Sequence, residues 1–182
     1  VSSAVYRYVA NRDELLTLLV VDAYSELADE VDAALTRDAG ASPLRQFATI
    51  ARTVRGWALR VPARYALLYG SPVPGYDAPA DRTMGPGTRV TARLIELLIG
   101  RPDESPTPPL DADLTDALGR VAPGVDPAAM TRGVLAWNAL LGMISAEVFG
   151  WYGDSFTGQQ DALFERQLAD VTALLARSGI PE

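Results

Sequence analysis

The chain has 182 residues, 48% of them hydrophobic, with 16 Lys+Arg against 23 Asp+Glu and no histidine, cysteine or lysine. Without cysteine and histidine there is no disulfide framework, thiolate nucleophile, zinc finger, iron–sulfur cluster or serine–histidine–acid triad. A net charge of −7 argues against a surface that coats nucleic acid throughout, while leaving room for a small basic module at one end.

The residue pattern predicts a string of helices and one all-α domain. Asn11 reads as an N-cap with Glu14 at the capping-box position. From there Leu15, Leu19, Ala23, Leu27, Val31 and Leu35 recur every fourth residue along one long helix, 11–35, which Gly40 ends. Ser42-Pro43 restarts a helix in which Phe47, Ile50, Val54, Trp57 and Val61 step by three and four, and Pro62 stops it. A short helix follows from Pro62 to Tyr69, ended by Gly70. Residues 71–76 form a stiff proline-rich loop. Beyond Gly85-Pro86-Gly87 another helix runs through Val90, Leu94, Leu97 and Leu98 to Gly100. Residues 101–109 hold four prolines and read as a loop. A shorter helix is expected over 111–121, a strongly apolar one over 127–149 and an amphipathic one over 159–177. The longest uncharged apolar stretch, 133–146, is short of the roughly 20 residues that a spanning helix needs. No signal peptide is visible, so a cytoplasmic protein without membrane contact is expected.

The opening string, Val1-Ser2-Ser3-Ala4-Val5-Tyr6-Arg7-Tyr8-Val9-Ala10-Asn11-Arg12-Asp13-Glu14-Leu15-Leu16, resembles the end of the DNA-binding head in the tetracycline-repressor (TetR) family. There a recognition helix ends in Leu-Tyr-x-His/Tyr-Phe and the next helix opens Lys/Arg-Asp/Glu-x-Leu. Val5 stands for the leucine, Tyr6 and Tyr8 match the aromatic pair, Val9 replaces the phenylalanine and Arg12 takes the basic position. In that register Ser2, Ser3 and Ala4 lie on the recognition helix, and Tyr6, Tyr8 and Arg12 belong to the DNA-facing set. The resemblance implies a further two helices ahead of Val1. It therefore divides the chain into a remnant of the helix-turn-helix head, 1–10, and an all-α ligand-binding and dimerisation domain, 11–182, able to engage an operator only with an intact head. Trp57, residues 62–76, and Trp137, Leu140 and Gly142 in a Trp-x-x-Leu-His-Gly pattern are similar to the ligand domain of a Trp-His-Gly subtype of that family. Leu141 occupies the histidine position, and Glu147 also fits.

The candidate effector pocket comprises Trp57, Thr53, Tyr65, Tyr69, Trp137, Asn138, Leu141, Met143 and Ser145: aromatic and apolar walls with a few polar anchors. Ordinary core packing is the alternative for each. The 127–149 helix carries two apolar faces. One runs through Met130, Val134, Trp137, Leu141, Ile144 and Val148, and the other through Leu135, Ala139, Gly142 and Ala146. A helix apolar all round is buried all round. The second face, joined by Phe164, Leu168, Val171 and Leu175 of the last helix, is the expected seam of a two-fold homodimer, with a helix central to its own monomer as the alternative. Arg45, Arg52 and Arg55 read as a solvated face loosely paired with acids. Asp111, Asp113 and Asp116 read as the acidic start of a capped helix rather than a calcium loop. Gly85-Pro86-Gly87 is no phosphate loop.

Two functions follow. The first is a ligand-responsive TetR-type regulator, most simply a repressor, sensing a small, largely apolar effector. The second is a helical-bundle carrier of small hydrophobic molecules. No nucleophile–base pair or metal set suggests catalysis, and no cofactor is expected.

Overall fold

A computed structural model of the chain describes residues 9–99 and 109–176. Along them run seven α-helices: α1 (Arg12–Arg37), α2 (Pro43–Arg60), α3 (Pro62–Tyr69), α4 (Ala80–Glu96), α5 (Ala112–Val121), α6 (Pro127–Val148) and α7 (Gln160–Ala176). A short 3-10 turn, Gly153–Phe156, precedes α7. Among the described residues there is no strand, only an isolated bridge between Ile99 and Val125. The all-α expectation holds. Residues 1–8 lie outside the described residues, and with them Ser2, Ser3, Ala4, Tyr6 and Tyr8 and most of the expected head remnant. Arg12 opens α1 with an exposed side chain, 3.9 Å from Asp13.

Local chemistry sets most helix ends. Asn11 accepts the Glu14 N–H at 2.8 Å, Asp111 the Leu114 N–H at 2.7 Å, and Asp126 those of Ala128 and Ala129. Each satisfies donors that the helix itself leaves unpaired. Pro43, Pro62 and Pro127 stand in first turns, where a missing N–H costs nothing. Gly70 closes α3 because a Cβ there would run into the Ala66 carbonyl.

Two expectations about helix faces are corrected. The buried line of α1 is Thr17, Val20, Ala23, Leu27, Ala28, Val31 and Ala34, and Leu19 is exposed. A strict four-residue step advances the face by about 40° each time, so a stripe of fourths cannot stay on one side. The observed line mixes threes and fours. The second correction concerns α4, which begins at Ala80 and runs straight through Gly85-Pro86-Gly87. Proline inside a helix costs roughly 3 kcal/mol and each glycine about 1 kcal/mol against alanine. Arginines on both sides of the weak centre hold α4 in place, pinned to acids of α1.

The core sits around α2, which packs on α1, α3, α6 and α7. Phe47, Ile50, Val54 and Trp57 of α2 meet Leu27 and Val31 of α1, Leu140 and Ile144 of α6, and Phe164 and Leu168 of α7 in one buried cluster. Fully burying side chains of this size stabilises by about 1.5–3 kcal/mol apiece. Arg55 leaves the expected solvated face: its side chain is 13% exposed and that of Glu147 12%. It donates to both Glu147 carboxylate oxygens at 2.7 Å and to Asp161 at 2.6 Å. Its guanidinium also lies 4.7 Å from the Phe164 ring centre. One cation thus ties α2 to α6 and α7. Arg52 keeps the expected surface character, in a bidentate pair with Glu165.

Candidate functional site

The structure splits the predicted pocket into three groups. Trp57 and Tyr65 are fully buried in the packed core. The Tyr65 hydroxyl is bonded to the Leu141 carbonyl at 3.1 Å and the Ser145 hydroxyl at 2.8 Å, so Ser145 is an internal partner rather than an open anchor. Trp57 is the exception in this satisfied core, because its buried indole N–H has no hydrogen-bond partner. A second group forms a chain of rings. Tyr65 and Tyr69 lie with centroids 5.2 Å apart and Tyr69 meets Trp137 edge-on at 6.3 Å, while Leu141 and Met143 pack partly buried against the core. The third group falls away from any interior. Thr53 donates to the Thr49 carbonyl of its own helix at 2.8 Å. Asn138 is exposed on the same side of α6 as Val134, Leu135 and Gly142.

Open space lies outside that core: a hollow of about 640 Å³ between α2 and α7, lined by Leu44, Ala48, Arg52, Glu165 and Ala173, and a second one beside the ring chain. The second, a cavity of about 530 Å³, opens between α1, α3, the proline-rich loop and the first half of α4. Val20 and Tyr24 line it from α1, Leu67 and Leu68 from α3, residues 70–73, Tyr76 and Ala78 from the loop, and Ala80, Thr83, Met84, Gly87 and Thr88 from α4. None of the nine predicted pocket residues is among them. The cavity still abuts the predicted ring chain, because Tyr24 packs edge-on against Tyr69 at 6.3 Å. Sequence reasoning missed it because the signal is a loop packed against helices, not a periodic stripe. Gly87 leaves room for the Tyr24 ring, which a Cβ there would meet at 3.3 Å.

Two kinds of contact frame this cavity. At one end the Tyr76 hydroxyl meets the buried Thr17 hydroxyl at 3.0 Å. Thr17 spends its single proton on the Asp13 carbonyl at 2.9 Å, so Tyr76 is the donor to Thr17. Around it, arginines of α4 grip α1. Arg82 holds Glu14 through both oxygens, at 2.7 and 3.1 Å, Arg89 reaches Asp29 and Asp32, and Arg93 reaches Asp32. Farther round, Arg60 pairs with Glu30, and Arg64 with Asp22 and Glu26. The hydrogen bond from Arg82 lowers the Glu14 pKa below its ordinary 4.5. Burial alone would raise Asp32, but the bonds from Arg93 and Arg89 outweigh it and hold it below its usual value. Burial raises Tyr24, keeping its phenol protonated at neutral pH.

The predicted dimer seam also divides. Phe164, Leu168 and Leu175 are 2–3% exposed within the chain's own core, Ala146 is nearly as buried, and Val171 packs partly against that core. These side chains are spent on the monomer, because α7 has α2 and α6 to cover it. Leu135, 54% exposed, and Gly142 do face outward, with Ala139 half-buried between the two sides. A Cβ added at Gly142 would touch nothing among the described residues. Val134 shares that outward face, which is apolar apart from Asn138.

The comparisons with known proteins fit this architecture. The profile described as "Tetracyclin repressor-like, C-terminal domain" matches residues 47–171. The chain belongs to the tetracycline-repressor family. HTH-type transcriptional regulators of this kind include Rv1816 of Mycobacterium tuberculosis and Mb1846 of Mycobacterium bovis. Each is 45% identical to the chain over 184 residues, which is 97% of this chain and 79% of the relative. The crystal structure of the regulatory protein SCO4313 superposes with a TM-score of 0.68 at 32% identity, covering 94% of this chain and 78% of that one. The chain is a ligand-responsive TetR-family transcriptional regulator. No helix among the described residues is long and apolar enough to cross a membrane.

Proposed function

We propose that residues 11–182 are the effector-binding and dimerisation body of this regulator, and that a small, largely apolar effector occupies the cavity between α1, α3 and α4. The observation that carries this reading is that α1 is both a wall of the cavity, through Val20 and Tyr24, and the helix that leads from the body toward the opening string resembling a DNA-binding head. An effector that fits the cavity better at one inclination of α1 shifts the population toward that inclination, by no more than its differential affinity for the two. In a dimer the shift changes the separation of two recognition helices from one turn of DNA, and operator affinity falls. In this reading Arg12, exposed at the start of α1, bonds a phosphate, and Ser2, Ser3, Ala4, Tyr6 and Tyr8 complete the DNA-facing set.

The homodimer is assigned to the outward face of α6, through Val134, Leu135, Asn138 and Gly142, the half-buried Ala139, and the exposed alanines 162, 169 and 173 of α7. An apolar helix face of this length is a partner surface in a repressor acting on a two-fold operator. The regulator acts beside the chromosome, in the cytoplasm. Identity with HTH-type regulators across nearly the whole chain favours this reading over a carrier. Sedimentation of the chain at micromolar concentration tests it: a dimer is expected, and a monomer at that concentration contradicts the assembly on which the mechanism depends.

A further inference from the structure

The wall of the α1–α3–α4 cavity carries no aspartate, glutamate or arginine, in a protein where these residues otherwise cover α1 and its neighbours. Asp77 and Asp81, adjacent in sequence to lining residues, are exposed to solvent and do not line it. The nearby Arg82 guanidinium is engaged by both oxygens of Glu14. An ion settling against this wall would give up part of its water and find no counter-charge on the wall, whereas an uncharged molecule gives up less.

The polar groups on the wall are hydroxyls, and most have their protons committed. Thr83 donates to the Pro79 carbonyl at 2.9 Å, Thr88 to the Met84 carbonyl at 2.8 Å, and Tyr76 to Thr17. Tyr24 differs. Its half-buried ring is fixed against Tyr69 and Gly87, and its hydroxyl makes no hydrogen bond among the described residues. It is a donor on α1 without a protein acceptor, at the edge of a mainly apolar, solvent-open groove lined by Val20, Leu67, Leu68, Pro72 and Met84.

We propose that this cavity takes an uncharged amphipathic molecule, an apolar body bearing an oxygen acceptor, and that the Tyr24 hydroxyl donates to that oxygen. The assignment rests on the reading of the cavity as the effector site. It adds the class of ligand and the residue on α1 that recognises it. A bond to Tyr24 couples the ligand directly to α1, whereas apolar contacts with α3 and the loop supply affinity without direction.

Dansyl amide and dansyl acid test it, because they share a ring system and differ by one negative charge at the oxygen-bearing end. Titration of each into the whole chain, read by dansyl emission, should show the amide binding at least about tenfold more tightly than the acid. Tyr24→Phe keeps the ring and should weaken the amide about five- to tenfold, the effect of one lost hydrogen bond. Thr88→Phe and Ser71→Phe, which fill the cavity from α4 and from the loop, should each abolish amide binding while leaving the circular dichroism and melting temperature near those of the parent. Equal binding of acid and amide, lost in both filled variants, would overturn the uncharged ligand class and leave the cavity as effector site. Full amide affinity in Tyr24→Phe would overturn the role of that hydroxyl. Amide binding absent, or indifferent to both filled variants, would overturn the ligand assignment together with the cavity reading on which it rests.

Discussion

The two sides of α2 are held together by different physics. On one side α2, α6 and α7 share a dry core and a nearly buried cation, Arg55, with its acceptors Glu147 and Asp161. On the other, α1 and α4 meet around a cavity through pairs that are more exposed, though still partly buried: Arg82–Glu14, Arg89–Asp29, Arg89–Asp32 and Arg93–Asp32. Water screens exposed pairs and makes them weak, while a desolvated bidentate pair that loses one partner leaves a charge stranded. The first side is built to hold its shape. The second, with a proline and two glycines inside α4, can change shape at small cost. In a sensor, the element that moves is expected among contacts that are individually cheap to break.

The sharpest way to break this contrast is Glu147→Ala. It strands Arg55 with only the exposed Asp161, and should cost about 3 kcal/mol in denaturant unfolding. A loss below 1 kcal/mol would show that the α2–α6–α7 side is no more tightly held than the other. Gly142→Trp should weaken self-association at least about tenfold, because hot-spot packing at an interface centre tolerates no such insertion. It should not lower monomer stability, since a Cβ at that position meets no described atom within 4 Å and the helix loses a glycine. Undiminished dimer would place the seam elsewhere.

Gly85→Ala sharpens the comparison from the mobile side. Position 85 has open space around it and a helical backbone. The substitution should stabilise by about 0.5–1 kcal/mol and stiffen α4; no gain in stability would mean that α4 is not limited by its weak centre. Arg52→Gln, which removes an exposed pair with Glu165, should change stability by only about 0.5 kcal/mol, measured in the same denaturant series as Glu147→Ala.

Acid should weaken the α1–α4 side, as it should the Arg52–Glu165 pair, whose carboxyl is also held below its ordinary value by the arginine. Glu14 and Asp32 have lowered pKa values in the fold, so the unfolded chain binds more protons than the native one between the lowered and ordinary values. Their stabilisation is present above the ordinary carboxylate values, 4.5 for Glu and 3.8 for Asp, and is lost as pH falls through the lowered ones. A stability profile rising with falling pH across that window would contradict these pairs.

What the sequence made legible divides along the same line. The all-α architecture, the caps at Asn11, Ser42 and Asp111, and the α2 stripe from Phe47 to Trp57 were readable because local chemistry and helical period act on neighbours in the chain. The ion pairs between α1 and α4 and the cavity were not, since both depend on how α4 lies against α1, more than fifty residues away in the chain. The aromatic residues predicted to line a pocket turned out to pack against one another. Composition alone does not separate a wall of rings from a stack of rings. The seam prediction failed in part for a related reason: Phe164, Leu168 and Leu175 are apolar because the monomer needs them, and only exposure distinguishes them from Leu135.

Native-state hydrogen exchange along the whole chain tests the central contrast most directly. Amides of α4 between Thr83 and Thr88, and of the first turns of α1, should exchange through low-energy local openings. Those of α2 and of α6 near Leu140 and Ile144 should exchange only with global unfolding. Equal protection across both sides, or α6 opening before α4, would contradict the division into a holding side and a moving one.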